Sequence, residues 1–441
     1  MSTAIKTTNT LDSNQFKSFL ERRVEPKWLS EQRKTAWQQF ESMEWPSRKS
    51  EEWMRSDLRG FHIDKYAVLE NAVDFKPSPE HGCPVRLLED VDVGGTIVVF
   101  DGHLLEATLD KEISKQGVVF ESLESAAVNH SDLVQKYLFS TIDPTLDRFA
   151  SLEAAAWSSG AFLYVPKNTT LAKPLHVFTG MSDGGCDMSH LLVVLEEGAE
   201  ATVLYECSSV KATANGFHCG GLELIVKPGA RLRFVKLQEW GDRVWHFSHQ
   251  RATVDRDATL QWTIAAMGAR FSQVNQQVSL IGAGATSQVN GTMFTSGKQQ
   301  MTYNTLQYHI APHCRSDFLY KAALQDSSRT VWRGMIKVAP GAIRTDGYQR
   351  NDNLMLSDLA RADSIPGLEI KADDVRCTHG STSGKVDEEL IFYAQSRGFT
   401  RHEAVRMIVT GFFQQIFDRI TIESVRKSLG SAIARQVRQY E

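Results

Sequence analysis

From about Ala150 onward the chain is a succession of short apolar or alternating runs, each closed by a small or turn-forming pair. Leu191–Leu195 runs into Gly198-Ala199, and Leu222–Val226 into Pro228-Gly229-Ala230. Asp257-Ala258, Gly284-Ala285 and Gly341-Ala342 continue the series. Gly198, Gly229, Asp257 and Gly284 are 31, 28 and 27 residues apart, and the 57 residues from there to Gly341 amount to two such units. A period of about 28 residues with two strands per unit is the mark of stacked repeats, and a parallel β-helix fits it best. Gly or Asp takes the corner because a tight turn needs backbone freedom. A β-sandwich would instead require hairpin pairs such as Asn290-Gly291 between adjacent strands, and most corners here are not of that kind.

The pattern on either side is helical. Asp12/Ser13 can cap a segment carrying Phe16, Phe19, Leu20 and Val24 on one face, and a second segment from Ser30-Glu31 carries Trp37, Phe40 and Met43 and stops before Pro46. Trp28, Trp37, Trp45 and Trp53 are expected to pack. Residues 57–145 mix strands such as Gly95–Phe100 with helical pieces. After the repeats, Asp387–Ser396 predicts a short helix with Leu390, Ile391 and Ala394 inward. Thr400-Arg-His-Glu403 is a capping box opening a helix with Ile408, Phe412, Ile416 and Ile420 at i, i+4 spacing. A last helix carries Ile422, Val425, Leu429 and Ile433. The expected division is a mixed N-terminal region (1–145), a β-helix core (146–378) and a C-terminal helical region (379–441) that covers the open solenoid end and docks a partner.

Net charge −4 and a pI near 6.4 give no electrostatic footprint for nucleic acid or an anionic membrane. The polar N-terminus predicts no secretory leader, and no run reaches the roughly 18 apolar residues of a membrane span. Cys83, Cys186, Cys207, Cys219, Cys314 and Cys377 form no CxxC pair, which predicts a reduced, cytoplasmic protein. Without a GxxxxGK[ST] loop the chain is not expected to hydrolyse ATP, and GxSxG and HExxH are absent too. His309 and His313 flank Pro312 and share no helical face; His246 and His249 fall on opposite faces of a strand.

The candidate chemistry lies in Asp373-Asp374-Val375-Arg376-Cys377-Thr378-His379-Gly380. In an extended segment Cys377 and His379 face the same side, so a thiol and an imidazole could meet a soft metal or an iron–sulfur fragment. Two donors are half a site, since closed sites usually use four. The alternative is a buried Cys beside a hydrogen-bonding His.

Asn351–Ser357, Pro366–Ile370, the Asp373–Gly384 run, Ile391-Phe-Tyr393 and Ser396-Arg-Gly398 together resemble the SufB/SufD family of iron–sulfur cluster assembly scaffolds. Pro46-Ser-Arg48, Glu52-Trp53 and the chain length resemble the SufD branch more than SufB. The resemblance implies a flattened right-handed β-helix between helical regions. It implies a non-catalytic scaffold role in a cytoplasmic complex with SufB and the ABC-type ATPase SufC. His379 then matches the histidine at the SufB–SufD interface where a transient iron–sulfur cluster is built, and Cys377 its neighbouring cysteine. Thr378 and Ser381 depart from the usual Ser and Ala without removing a ligand atom. Glu388, Phe392, Tyr393, Arg397, Gly398 and Phe412 are the implied SufC-docking residues. Homodimer formation by the isolated chain and flavin binding in the complex stay open. The competing expectations are a carbohydrate-active β-helix enzyme, which needs clustered carboxylates on a solenoid face, and an inert β-solenoid interaction module.

Overall fold

A computed structural model describes residues 11–69, 91–420 and 422–437. The repeats form a parallel β-solenoid of about eight turns. The chain alternates between two sheets: Arg231–Trp240 lies in the first, Arg243–Val254 in the second, Thr259–Gly268 in the first again. Successive turns pair in parallel, with Glu200, Arg231, Thr259, Thr286, Arg315, Asp346 and Arg376 in register down the first sheet. Alternate side chains therefore stack into columns that point either into the solenoid or out of it. Phe318, Tyr320, Ala322 and Leu324 point in and are fully buried.

One corner of every turn has the same construction. Asn168, Gly198, Gly229, Asp257, Gly284, His313, Arg344 and Asp374 all have positive φ, between 53° and 76°. Their amides hydrogen-bond to the next corner, as from Gly229 to the Arg256 carbonyl at 2.8 Å and from His313 to Ile343 at 2.9 Å. The residue that follows is small and buried: Ala199, Ala230, Ala258, Ala285 and Cys314. Glycine removes the Cβ clash of this conformation and Asp or Asn tolerates it. The period in the sequence is the period of this corner. His313-Cys314 supplies the turn that the 57-residue interval skipped. Gly341-Ala342 forms a turn of the same kind, with positive φ at Gly341 and the Ala342 amide bonded to the Ala339 carbonyl, but the register aligns Arg344 with the other corners. The connection from Val338 to Asp346 is two residues longer than that from Leu280 to Thr286, which displaces the Gly-Ala pair from the ladder. Asn290-Gly291 lies inside strand Thr286–Thr295 and turns nothing. A Cβ at Gly291 would meet the Tyr320 ring at 2.2 Å, so the glycine makes room for that ring.

The helices lie on the outer faces of the two sheets. Ser13–Glu21, capped by Asp12, and Lys27–Ser42 pack with Trp37 and Trp53 against Phe217, Trp245, Phe247 and Phe271 of the second sheet. The second helix begins three residues before Ser30. Val24, 95% exposed, lies past the end of the first helix and off its buried face. Trp45 is partly exposed beneath the Arg148 guanidinium. Cys83 and the 70–90 part of the mixed region lie outside the described residues.

Glu388–Ser396, Arg401–Phe417 and Glu423–Val437 cover the outer face of the first sheet, burying Val235, Leu237, Ala265, Met267, Phe294 and Ala323. The Thr400–Glu403 capping box is present. The expected role of these helices as an end cap is overturned: outward apolar columns in the sheet attract them sideways, and none of the described residues covers the last turn. Leu390 is also corrected, since it faces solvent while Ile391 takes the buried position.

A buried ionic clamp holds residues 138–142 to the second sheet. His190 Nδ1 lies 2.8 Å from Glu153 Oε1 and its Nε2 3.2 Å from Glu223 Oε2. Glu223 also accepts the backbone N–H groups of Phe139, Thr141 and Ile142. Burial alone would lower the His190 pKa, but the two carboxylates outweigh it and raise the pKa from 6.5 to about 9. A raised folded-state pKa adds stability that is complete below about 6.5 and lost as pH rises through about 9. The urea midpoint should therefore fall between pH 6.5 and pH 9 in the native chain, and His190→Gln should lose that part of the dependence; a native midpoint flat across this range contradicts the clamp.

Candidate functional site

The solenoid ends on strands Arg361–Ile370 and Arg376–Lys385, each paired along one edge only among the described residues. Arg376–Lys385 lies on Asp346–Met355 with Gly347↔Cys377, Gln349↔His379, Asn351↔Ser381 and Asn353↔Ser383. Gln349 shows which side is inward. It is fully buried, and its Nε2 crosses the interior to the carbonyls of Gly334 (3.3 Å) and Gly367 (3.1 Å) in the second sheet. Cys377 and His379 continue the Gly347 and Gln349 columns, so both point into the solenoid at its open mouth. The period-two expectation for this pair holds. Asp374 sits at the corner, ion-paired with Arg344 at 3.6 Å, and does not face the histidine.

The inward columns of the first sheet change character as they near this mouth. Phe318, Tyr320, Ala322 and Leu324 are followed one turn later by Gln349, Asn351 and Asn353, then by His379, Ser381 and Ser383. Asn353 Nδ2 donates to Asn351 Oδ1 (2.9 Å) and Ser383 Oγ (3.1 Å). Gln349 Oε1 is buried without a hydrogen-bond partner. In the second sheet Leu368 and Ile370 extend the columns of buried Ile336 and Val338 and are left exposed. The mouth is a mixed polar and apolar surface, with the exposed imidazole of His379 between the two kinds.

The two candidate donors differ. Cys377 is half-buried against Ile336, Val338, Ala342 and Val375. Burial pushes its thiol pKa up, Asp346 adds to this and the Gly347 backbone opposes it, so at neutral pH it carries a proton. A protonated thiol is a poor ligand, whereas a neutral imidazole offers a lone pair directly. Among the described residues no group of three His, Cys, Asp or Glu side chains is placed to hold a metal ion. His246 points inward to His218 (2.9 Å) and His249 outward to Asp147 (3.1 Å), as alternation required.

The residues expected to dock a partner separate into two groups. Phe392 and Tyr393 are 72% and 59% exposed, and Leu390, Phe399 and Met407 are exposed as well. Arg397 lies over the Tyr393 ring and donates to its hydroxyl at 3.0 Å, and Gly398, at φ 92°, ends the helix. Glu388 receives both Arg401 guanidinium nitrogens at 2.7 Å. Phe412 is half-buried instead, under Lys321, while Phe413 and Phe417 are in the core. The aromatic content of Arg401–Phe417 thus serves packing, and the free aromatics are on the preceding helix. Sequence reasoning missed Leu390, Phe399 and Met407 as surface residues. It also missed the inward polar run Gln349, Asn351 and Asn353, whose signal was polar residues alternating at buried strand positions.

Comparison with known proteins adds the family. The profile described as SUF system FeS cluster assembly, SufBD core domain, matches residues 178–412, and that of the SufBD protein N-terminal region matches residues 14–177. This chain belongs to the SufBD family. Its relatives include the iron-sulfur cluster assembly SufBD family protein of Staphylococcus saprophyticus, 26% identical over 410 residues that cover 90% of this chain and 87% of the relative. Another, from Staphylococcus haemolyticus, is 26% identical over 332 residues, 75% of this chain and 71% of the relative. The resemblance seen in the motifs is thereby established at the level of the SufBD family, and the β-solenoid with flanking helices agrees with the expected fold.

The mouth depends on close packing behind it. A Cβ on Gly334 would lie 2.2 Å from Trp332 Cη2 and 2.5 Å from Gln349 Oε1. Gly334→Ala is expected to cost about 1–3 kcal/mol by overpacking, read as a lower denaturation midpoint; an unchanged midpoint would mean that Gln349 is not fixed as described.

Proposed function

We propose that this chain is the SufD-type, non-catalytic scaffold subunit of a cytoplasmic complex with SufB and SufC, and that a nascent iron–sulfur cluster is assembled where its open solenoid mouth meets SufB. The observation that supports this most directly is the placement of His379: inward on the last turn, exposed, with no further turn above it among the described residues. The cluster is cargo, and His379 is its ligand on this side. Cys377 is supporting, because its raised thiol pKa keeps it protonated until a metal or base displaces the proton. The remaining donors come from the partner. An incomplete set suits transient assembly, since a closed four-ligand cage would retain its product. The N-terminal motif Pro46-Ser-Arg48 and Glu52-Trp53 favours the SufD assignment.

The Phe392–Tyr393 patch, with Glu388, Arg397 and Gly398, is the docking face for SufC. Exposed aromatics rimmed by charge are the usual anchor of a protein interface. SufC supplies nucleotide-driven motion, consistent with the lack of a phosphate-binding loop in this sequence.

Two experiments test these assignments. His379→Ala, purified anaerobically with SufB and SufC, should keep the complex and lose acid-labile sulfide and iron; an intact complex with normal cluster content refutes the ligand role. Phe392→Ser combined with Tyr393→Ser should leave the fold unchanged, because both side chains are mostly in solvent, and lower SufC capture about tenfold or more. Capture at the native level by the folded variant would place the docking face elsewhere.

A further inference from the structure

The strand that carries His379 is held by more than its backbone ladder, and one buried carboxylate gathers the additional contacts. On the outer face of the first sheet Thr292, Lys321, Asp352 and Thr382 form one column in register. Only 4% of Asp352 is exposed. The Thr382 hydroxyl donates to Asp352 Oδ1 at 2.6 Å, and Arg350 Nε donates to the same oxygen at 2.9 Å. Asp352 Oδ2 lies 3.9 Å from Lys321 Nζ. Lys321 Nζ in turn donates to the Phe412 carbonyl at 2.9 Å and stands 4.8 Å from the centre of the Phe412 ring. From inside the solenoid, Asn353 Nδ2 reaches the Thr382 carbonyl at 3.3 Å. Thr382 is therefore gripped from both faces, three residues after His379 on a strand that no described residue covers at its free edge.

Burial makes these contacts interdependent. A carboxylate removed from water is costly unless its charge is paired and its lone pairs are filled. Asp352 meets that demand from three directions: the terminal strand, its own strand through Arg350, and the lysine bound to helix Arg401–Phe417. If Lys321 follows a displaced helix, Asp352 loses a counter-charge and must shift or repack, and Thr382 is bonded to the same carboxylate.

We infer that Asp352 is a positioning residue which, through Lys321, ties the strand presenting His379 to helix Arg401–Phe417, so that a protein docked on the helical layer acts on the site strand. The functional consequence rests on the reading of His379 given above; the tie itself does not. It is tested by hydrogen exchange on the full chain, free of iron and partners. Lys321→Met keeps the length of the side chain and deletes no group that touches Arg376–Lys385. Exchange in that segment should accelerate about threefold or more, as expected for a coupling of this kind, while Arg231–Gly268 exchanges as in the native chain. A native rate at Arg376–Lys385 in the folded variant overturns the inference. If Arg231–Gly268 also becomes fast, the variant has lost its fold and the reverse test decides. Thr382→Val, which removes one surface hydroxyl, should accelerate exchange in helix Arg401–Phe417, and an unchanged helix then overturns the tie. Failure of the cluster reading would appear only in the iron and sulfide content of His379→Ala and would leave these rates as they are.

Discussion

A parallel β-ladder satisfies each strand from both edges, and it has to stop somewhere. Every turn here supplies N–H and C=O groups, and side chains in register, to the next. Among the described residues the turn built from Arg361–Ile370 and Arg376–Lys385 has no successor. An exposed edge of this length attracts pairing from another chain unless it is covered. In this molecule the helices that would be the natural cover lie elsewhere, on the outer face of the first sheet. The open mouth is left as the place where the fold is incomplete and where its candidate chemistry stands.

The polarity of the interior follows from that ending. A core sealed by further turns is mainly apolar around Phe318 and Leu324, and its polar members are paired, Tyr320 with Gln276 and Ser316 with Gln307 and His309. Gln349, Asn351 and Asn353 instead form a hydrogen-bonded layer that tolerates a wet or partner-covered surface beyond it. His379 is set on this layer, with Cys377 on the drier side beside Ile336 and Val338. The same half-site has a different meaning in a closed core, where a His would need a fixed hydrogen-bond partner, than at a rim, where a second chain can complete it.

The two outer faces carry different burdens. The second sheet is covered by N-terminal helices through aromatic packing, and the His190 clamp fastens a loop there with buried charge. The first sheet is covered by C-terminal helices that leave Phe392 and Tyr393 outward and set Phe412 on Lys321. Near the mouth the outward column through Lys321 and Asp352 is charged, beside apolar Ala323 and Leu354. Contact between helix and site strand therefore runs through ion pairs and hydrogen bonds, which are directional and break discretely, where the middle of the sheet uses apolar packing.

Much of this architecture was legible in the order of residues. The corner period was visible because the left-handed backbone at Gly198, Gly229, Asp257 and Gly284 restricts residue choice at each turn. The shared face of Cys377 and His379 followed from alternation alone, and the capping box at Thr400 from local hydrogen bonding. Local rules ended where distant segments meet. His313 and Arg344 are not turn formers by type, and only the register of the whole stack aligns them with the other corners, Arg344 just past the turn at Gly341-Ala342. Which face Leu390 and Phe412 would show depended on where the helices came to rest. That was decided by apolar columns such as Met267, Phe294 and Ala323, whose members stand 27 and 29 residues apart and become one surface only when the turns stack.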